Sequence, residues 1–388
     1  MKTEIGILPN EKNEEIKALV QYSFNKFSPE WAKCFDYLTE HSINFGVLHD
    51  EVLTSQITLV EHEVNFHGKT LLASGISYVA SYPEARGKGG IREVFRQIFE
   101  REYNRGAALS LLDPFSYQFY QQFGYEAACD RLLLSWEAKN FPQAEKSNYT
   151  MKRMSFDEAF PALKKLHAEN EQFSRGSSRR NAWWWNYTHM HKWKGHYTAI
   201  CYNEEMQAVG YIIYTMDYPN LHIIEWVNAD FEAAKASVNF INSHSMAFDT
   251  ITYLSANSNV KEIPVLHLMK EPRAVKRELL PYMQARIVNV EVFLQSYPWQ
   301  EEANFAFELT DKNLPNNNGI FLANGEKVLT PHLPLISCDI GTFSSLLLGY
   351  TSVDMLVKMQ RVKCSENRIF PSLKRSVVQE MTIVSDIF

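Results

Sequence analysis

Arg86-Gly87-Lys88-Gly89-Gly90 is a short run whose residue types can do chemistry by themselves. Glycines let a backbone approach a ligand with no Cβ in the way, and Arg86 and Lys88 bring charge-assisted donors. An apolar stretch, residues 71–80, precedes the run. After it come Ile91, Val94, Phe95, Ile98 and Phe99, spaced as one face of a buried helix. Strand, glycine turn and helix in that order aim free N–H groups and a positive helix end at one point, which suits a phosphate. Read alone, the same spacing also fits a tight turn with solvated cations.

A second group lies downstream. Residues 107–112 read as a buried strand, and residues 115–123 as a short helix stopped by Gly124. On it Tyr120 offers a phenol, with an ordinary pKa near ~10, as a proton donor; the bland alternative is a core tyrosine with a satisfied hydroxyl. Tyr125 reads as packing.

The elements that must position these groups recur along the chain. Helices over residues 13–27, capped by Asn13 with Ile16, Leu19, Val20, Phe24 and Phe27 inward, and over 31–37 come first. Strands follow at 43–48, 52–60 and 63–66, the last two joined by a turn at Glu61-His62, then 71–80, 107–112 and 131–138. After a polar stretch near 140–148 the order restarts: strand 149–153, helix 156–169, strands 196–202, 208–216 and 222–227, helix 231–243, strand 249–254. From about residue 286 short strands near 305–309, 320–323 and 327–329, bordered by Asn318-Gly319 and Asn324-Gly325, precede helices at 340–349 and 353–360.

Arg86-x-x-Gly89-Gly90-Ile91 resembles the acyl-CoA loop of the GNAT acetyltransferases, Gln/Arg-x-x-Gly-x-Gly/Ala, with Ile91 in the last place and an additional glycine, Gly90, before it. Phe119-Tyr120-x-x-Phe123-Gly124-Tyr125 resembles the segment that closes their active site. The three-part order, GNAT, degenerate GNAT, then a sheet-and-helix module, resembles the enhanced intracellular survival (Eis) acetyltransferase family, whose third domain is sterol-carrier-protein-like.

That resemblance implies an α+β fold: a GNAT domain over 1–148, a degenerate GNAT domain over 149–285 and a sterol-carrier-protein-like domain over 286–388. It implies an enzyme that moves acetyl from acetyl-CoA to a primary amine, aminoglycoside-like, polyamine-like or lysine. Tyr78, Val79 and Ala80 then hold acetyl and pantetheine by backbone hydrogen bonds, and the loop Arg86, Gly87, Lys88, Gly89, Gly90 and Ile91 holds the pyrophosphate. Tyr120 matches the general acid, and the terminal carboxylate of Phe388 the general base. Family loops often carry three consecutive cations; Gly87 replaces the middle one, which bears on CoA affinity. The family also implies a homo-oligomer, hexamers included.

A terminal carboxylate ordinarily titrates near about 3.5, and burial beside Ile387 and Phe388 raises that value. Without the resemblance, a frayed, solvated end is the default. In the second copy, Asn228-Ala229-Asp230-Phe231-Glu232 replaces the loop; it has no glycine or cation, and its acids repel a pyrophosphate, so no CoA is expected there.

Composition sets the limits. The chain has 388 residues, 45% apolar, with a net charge of −6, which argues against a nucleic-acid partner and is compatible with a cationic substrate. No apolar run is long enough for a membrane span, no signal peptide opens the chain, and five scattered cysteines without a CxxC pair read as reduced cytoplasmic thiols. His189-x-His191 with His196 lacks a partner acid or cysteine at ligand spacing, so no metal is expected. Trp183-Trp184-Trp185 reads as an anchor for the second core, since three adjacent rings cannot face one pocket. Arg175, Arg179 and Arg180 read as helix caps or interface cations. Asp36, Asp113 and Glu126 are fallback bases acting through water. A different function class, a non-catalytic carrier of an apolar ligand in the last module, requires a continuous apolar cavity there.

Overall fold

The computed structural model describes residues 2–191, 193 and 195–388, with the side chains of Met190, His191 and Asn367 outside the description. Its first part runs β1 (Thr3–Ile7), α1 (Asn13–Phe24), α2 (Pro29–Glu40), β2 (Ile43–His49), β3 (Val52–Phe66), β4 (Lys69–Ser81), α3 (Gly90–Arg105), β5 (Leu109–Leu112), α4 (Tyr117–Gln121) and β6 (Glu126–Glu137). Repetition begins with β7 (Thr150–Met154), α5 (Phe156–Glu169), β8 (Arg175–Ser178), α6 (Ala182–His191), β9 (Tyr197–Tyr202) and β10 (Ala208–Asp217). It closes with β11 (Asn220–Asn228), α7 (Phe231–Asn242), β12 (Thr250–Ser255) and β13 (Val275–Ile287).

Both copies share one sheet of thirteen strands, ordered β1-β2-β3-β4-β5-β13-β6-β12-β11-β10-β9-β7, with β8 against β3. The late strand β13 wedges between β5 and β6, pairing Ile287 with Leu109 on one side and Leu279 with Leu132 on the other. On its far side β6 pairs with β12. The two copies are therefore hydrogen-bonded into a single slab, an arrangement that neither copy's own pattern announces.

Three local expectations are corrected. Residues 61–62 do not turn: β3 is continuous, because Glu61 on one face meets Arg101 at 2.8 Å and Arg105 at 3.4 Å while His62 on the other is covered. Asn13 does not cap α1, which begins at that residue without a side-chain cap. The inward stripe of α1 stops at Ile16, Leu19 and Val20; Phe24 and Phe27 are 41% and 66% exposed, because the helix ends at Phe24.

The third part contains α8 (Val290–Ser296), β14 (Ala306–Thr310), β15 (Gly319–Leu322), β16 (Lys327–Val328), β17 (Leu335–Asp339), α9 (Ile340–Leu347), α10 (Val353–Lys358), β18 (Lys363–Cys364) and α11 (Phe370–Ser376). Its five strands order β16-β15-β14-β17-β18. Their inner face is filled by Phe305, Phe307, Phe321 and Phe343, and this core is continuous with Ala73, Leu109 and Ala285 of the large sheet. The described cavity on this part, about 920 Å³, lies on the sheet's open face beside Glu308, Lys327, Leu329 and Lys363, not among those rings.

No helix among the described residues is long and apolar enough to cross a membrane.

His167 on α5 shows how the second core handles a titratable group. It is 4% exposed, stacks on Phe173 at 4.2 Å, and burial with the nearby Arg180 charge pushes its pKa down to about 3. The unfolded chain takes up this proton first, so the neutral ring's contribution is present above about pH 6.5 and is lost as pH falls toward 3. Unfolding free energies from urea titrations across that window should fall with a slope reaching about 1.4 kcal/mol per pH unit from this group. His167→Phe should flatten that slope; an unchanged slope refutes the assignment.

Candidate active site

The apolar end of β4 leads into the loop, and the local backbone explains why. Tyr78 and Val79 stand opposite Ile57 as a bulge, with Tyr78 at φ 46°. Its carbonyl accepts from the Gln56 side chain. Its ring turns away from the loop into Trp31, Phe35 and Phe24, where the Trp31 indole N–H donates to the phenol oxygen at 3.4 Å.

Gly87 and Gly89 sit at φ 76° and 83°, a region L side chains avoid. Gly90 is needed for a different reason, since a Cβ there would meet Val47 at 3.0 Å. The unexpected extra glycine thus lets the loop lie on β2. No side chain caps α3, which leaves its first-turn N–H groups for an anion.

A cavity of about 710 Å³ opens here. Val79, Ala80, Arg86, Gly87, Gly89, Gly90 and Ile91 line it; Tyr78, Lys88, Tyr120 and Phe388 stand outside the lining. Phe119 and Phe123 of the closing segment supply apolar walls, and so do Phe24 and Phe115, which sequence reasoning missed, although an exposed phenylalanine at the end of a surface helix is a usable signal.

Tyr120 is 3% exposed, with the rings of Phe95, Phe115, Phe119 and Tyr125 at 5.0–6.3 Å. Ser116 caps its short helix, accepting from the Phe119 N–H at 3.3 Å. The helix end is buttressed from the third part and β13, where Arg286 donates to the Phe123 carbonyl at 2.5 Å and pairs with Asp311. Burial, then the Asp113 carboxylate, pushes the Tyr120 phenol well up, so it is a protonated donor at neutral pH. Tyr125 is packing: fully buried, its hydroxyl shares a 2.8 Å hydrogen bond with Ser110.

The last residues do not fray. Ile383, Val384 and Asp386 are buried, and the Phe388 ring covers Gly75, flanked by His62 at 4.6 Å and Trp184 at 5.7 Å. A methyl on Gly75 would collide with that ring. The next residue, Ile76, belongs to the cluster that holds Tyr120, and the β4–β5 ladder ends at its pair with Leu112. The residue the tail covers and the one that joins Tyr120's cluster are thus consecutive, at the point where β4 parts from β5. Burial pushes His62 down to about 4, so its ring is neutral beside Phe388.

Other candidates are accounted for. Asp36 pairs with Lys17 at 2.8 Å and Glu126 with Arg361 at 2.6 Å, while Asp113 stands near Tyr120 with its carboxyl pushed up by burial. The tryptophans divide: Trp185 enters the second core, Trp184 meets the tail, and Trp183 stacks on His41 at 5.0 Å. Arg175 pairs with Glu262 at 2.8 Å, and Arg180 lies at an interface. His189 and His196 share a 3.2 Å nitrogen contact, and His191's side chain lies outside the described residues. Among the described residues no three His, Cys, Asp or Glu side chains gather as a metal site. In the second copy the matching helix end is occupied by the protein itself: Asp230 caps α7 by accepting from the Ala233 N–H at 2.8 Å.

Comparison with known proteins fits this geometry. Acetyltransferase (GNAT) domain families match residues 5–128 and 176–287, and a sterol carrier protein domain matches 290–380. A crystal structure from Enterococcus faecalis V583, described as a probable N-acyltransferase, is 32% identical over 100% of both chains, with TM-score 0.92. The chain belongs to the GNAT N-acetyltransferases. Its three-domain order is Eis-like: Eis1 from Mycobacterium abscessus has the same fold at 17% identity over 100% of both chains, with TM-score 0.82. So does a GCN5-related N-acetyltransferase from Anabaena variabilis ATCC 29413, at 18% identity over 100% of both chains and TM-score 0.87. Among curated proteins, no match to this sequence is found. The acetyltransferase therefore uses acetyl-CoA and an amine acceptor, small molecule or peptide, as GNAT enzymes do.

Proposed function

We propose that this acetyltransferase moves acetyl from acetyl-CoA directly to a primary amine of an aminoglycoside-like, polyamine-like or lysine-containing acceptor. The amine lone pair attacks the thioester carbonyl, and the carbon–sulfur bond breaks. Tyr120 gives its phenolic proton to the departing thiolate, and the Phe388 carboxylate takes the proton from the amine. Backbone N–H groups along residues 77–80 stabilise the oxyanion, Val79 and Ala80 hold the acyl arm, and the loop Arg86–Ile91 grips the pyrophosphate. Holding amine and thioester in contact supplies much of the remainder, up to about 7–11 kcal/mol.

The observation that carries this reading is the seat of Phe388 on Gly75, one residue from Ile76, which belongs to the core cluster that holds Tyr120. Burial of Ile383, Val384 and Asp386 supports a tail held in place, with its last residue half-buried beside His62 and Trp184. The Asp230 cap supports a second copy that holds no CoA. The division at about 148 and 285, a cytoplasmic homo-oligomer and an absent metal complete the reading.

Thiol release from acetyl-CoA over a panel of amines, with product mass confirmed, tests it. Amine-dependent release is expected from at least one class, and release that no amine accelerates overturns it.

A further inference from the structure

The degenerate second copy contributes a buried charge cluster that reaches beyond its own fold to the tail. Arg180 leaves the end of β8 and is 6% exposed, over Trp185 and Trp193 at 4.7 and 5.3 Å. Two of its nitrogens donate to Glu225 of β11 at 3.0 and 2.6 Å, and its Nε donates to Asp386 of the tail at 2.9 Å. The other acceptor sites are filled as well. Tyr211 donates to Glu225 at 2.6 Å, while the Trp184 indole N–H and the Ser385 hydroxyl donate to Asp386 at 3.0 and 2.9 Å.

The main chain of the tail is gripped in the same way. Ser177 donates to the Ile383 carbonyl at 2.7 Å, Arg131 to the Ser385 carbonyl at 3.0 Å, and Tyr282 to the Asp386 carbonyl at 2.6 Å. These donors come from β8, β6 and β13, so they surround the tail rather than continue a sheet.

Burying one cation with two carboxylates is a poor way to gain stability, because desolvation offsets most of the attraction. Such clusters do fix register, since a shifted segment leaves charges unpaired. A slip of one residue along the tail would place Ser385 or Ile387 against Arg180 and strand the guanidinium.

We propose that the second GNAT copy is the receptor for the C-terminal tail, with Arg180, held by Glu225, as a positioning residue that reads Asp386 and so fixes Phe388 over Gly75. The use made of Phe388 rests on the function proposed above; the anchoring does not. This gives the copy without a CoA loop a role in catalysis through placement.

The test uses the full chain with Asp386→Ala and, because that variant leaves Arg180 with a lost partner, the gentler Tyr282→Phe, which removes one hydroxyl donor. Release of Phe388 by carboxypeptidase and steady-state constants are read on folded protein. Phe388 release should rise about tenfold or more in Asp386→Ala and less in Tyr282→Phe, as expected for losing a charged against a neutral hydrogen bond. kcat should fall in the same order while the KM for acetyl-CoA stays within about twofold, a split that general destabilisation does not produce. Release no faster than in the parent, in either folded variant, overturns the anchor. Faster release with unchanged kcat supports the anchor and instead removes the Phe388 carboxylate from the chemistry.

Discussion

A single glycine appended after Phe388 is expected to cut kcat by about 10²-fold or more, the scale of a lost general base, while acetyl-CoA affinity stays within about twofold. The added residue moves the carboxylate about 3.8 Å along the chain and leaves a neutral amide in its place. The Phe388 ring can stay on Gly75, and the proposed CoA loop lies on the other side of the Tyr78 bulge, so binding is insulated from the change. Gly75→Ala is the complementary variant. It leaves the carboxylate intact but puts a methyl where the ring rests, so the ring must lift and take its carboxylate along. Stopped-flow turnover with CoA titration reads both. An extended chain that turns over at the parent rate eliminates Phe388 as the base, whatever the alanine variant does.

The residues that make this site differ in how openly the chain displays them. The geometry of Arg86–Ile91 was legible because it is local: strand, positive-φ glycines and helix follow one another within about the span of one βα turn. The repeat was legible from element order, since α5 and α7 each carry an apolar helical period and β10 between them is a short continuous buried run. By contrast β13 opens with Val275-Lys276-Arg277-Glu278 and carries Pro281, a pattern that argues against a central strand. Its pairing with both β5 and β6 is decided by partners more than a hundred residues away, which no window contains. Glu61-His62 misled for a related reason. Polar residues inside a strand read as a turn unless one knows that two arginines of α3 and the chain's own last residue will cover them. The Arg180 cluster joins residues 45 and 206 positions apart. Its one local trace is Asp386 standing alone among Ile383, Val384, Ile387 and Phe388, an acid in an apolar tail that calls for a buried cation.

Tyr120→Phe should reduce kcat by about 10²- to 10⁴-fold with acetyl-CoA KM nearly unchanged, because in the proposed mechanism the hydroxyl acts on the leaving thiolate and not on the bound nucleotide. The substitution keeps the ring and its contacts with Phe95, Phe115 and Phe119, so folding and the cavity wall are preserved. The direction of the pKa shift adds a second reading. Burial and the Asp113 carboxylate both favour the neutral phenol, so the folded group keeps its proton above the ordinary value near 10. Activity of the parent enzyme should therefore show no alkaline fall from this group up to about pH 10, whereas an unshifted phenol would already be losing its proton there. Replacing Asp113 by asparagine removes the charge that helps hold the proton, and an alkaline limb should move toward neutrality. Full activity in Tyr120→Phe would return the phenol to the core as a packing residue, and thiolate departure would then have to be assisted by water or by another donor at the end of β5.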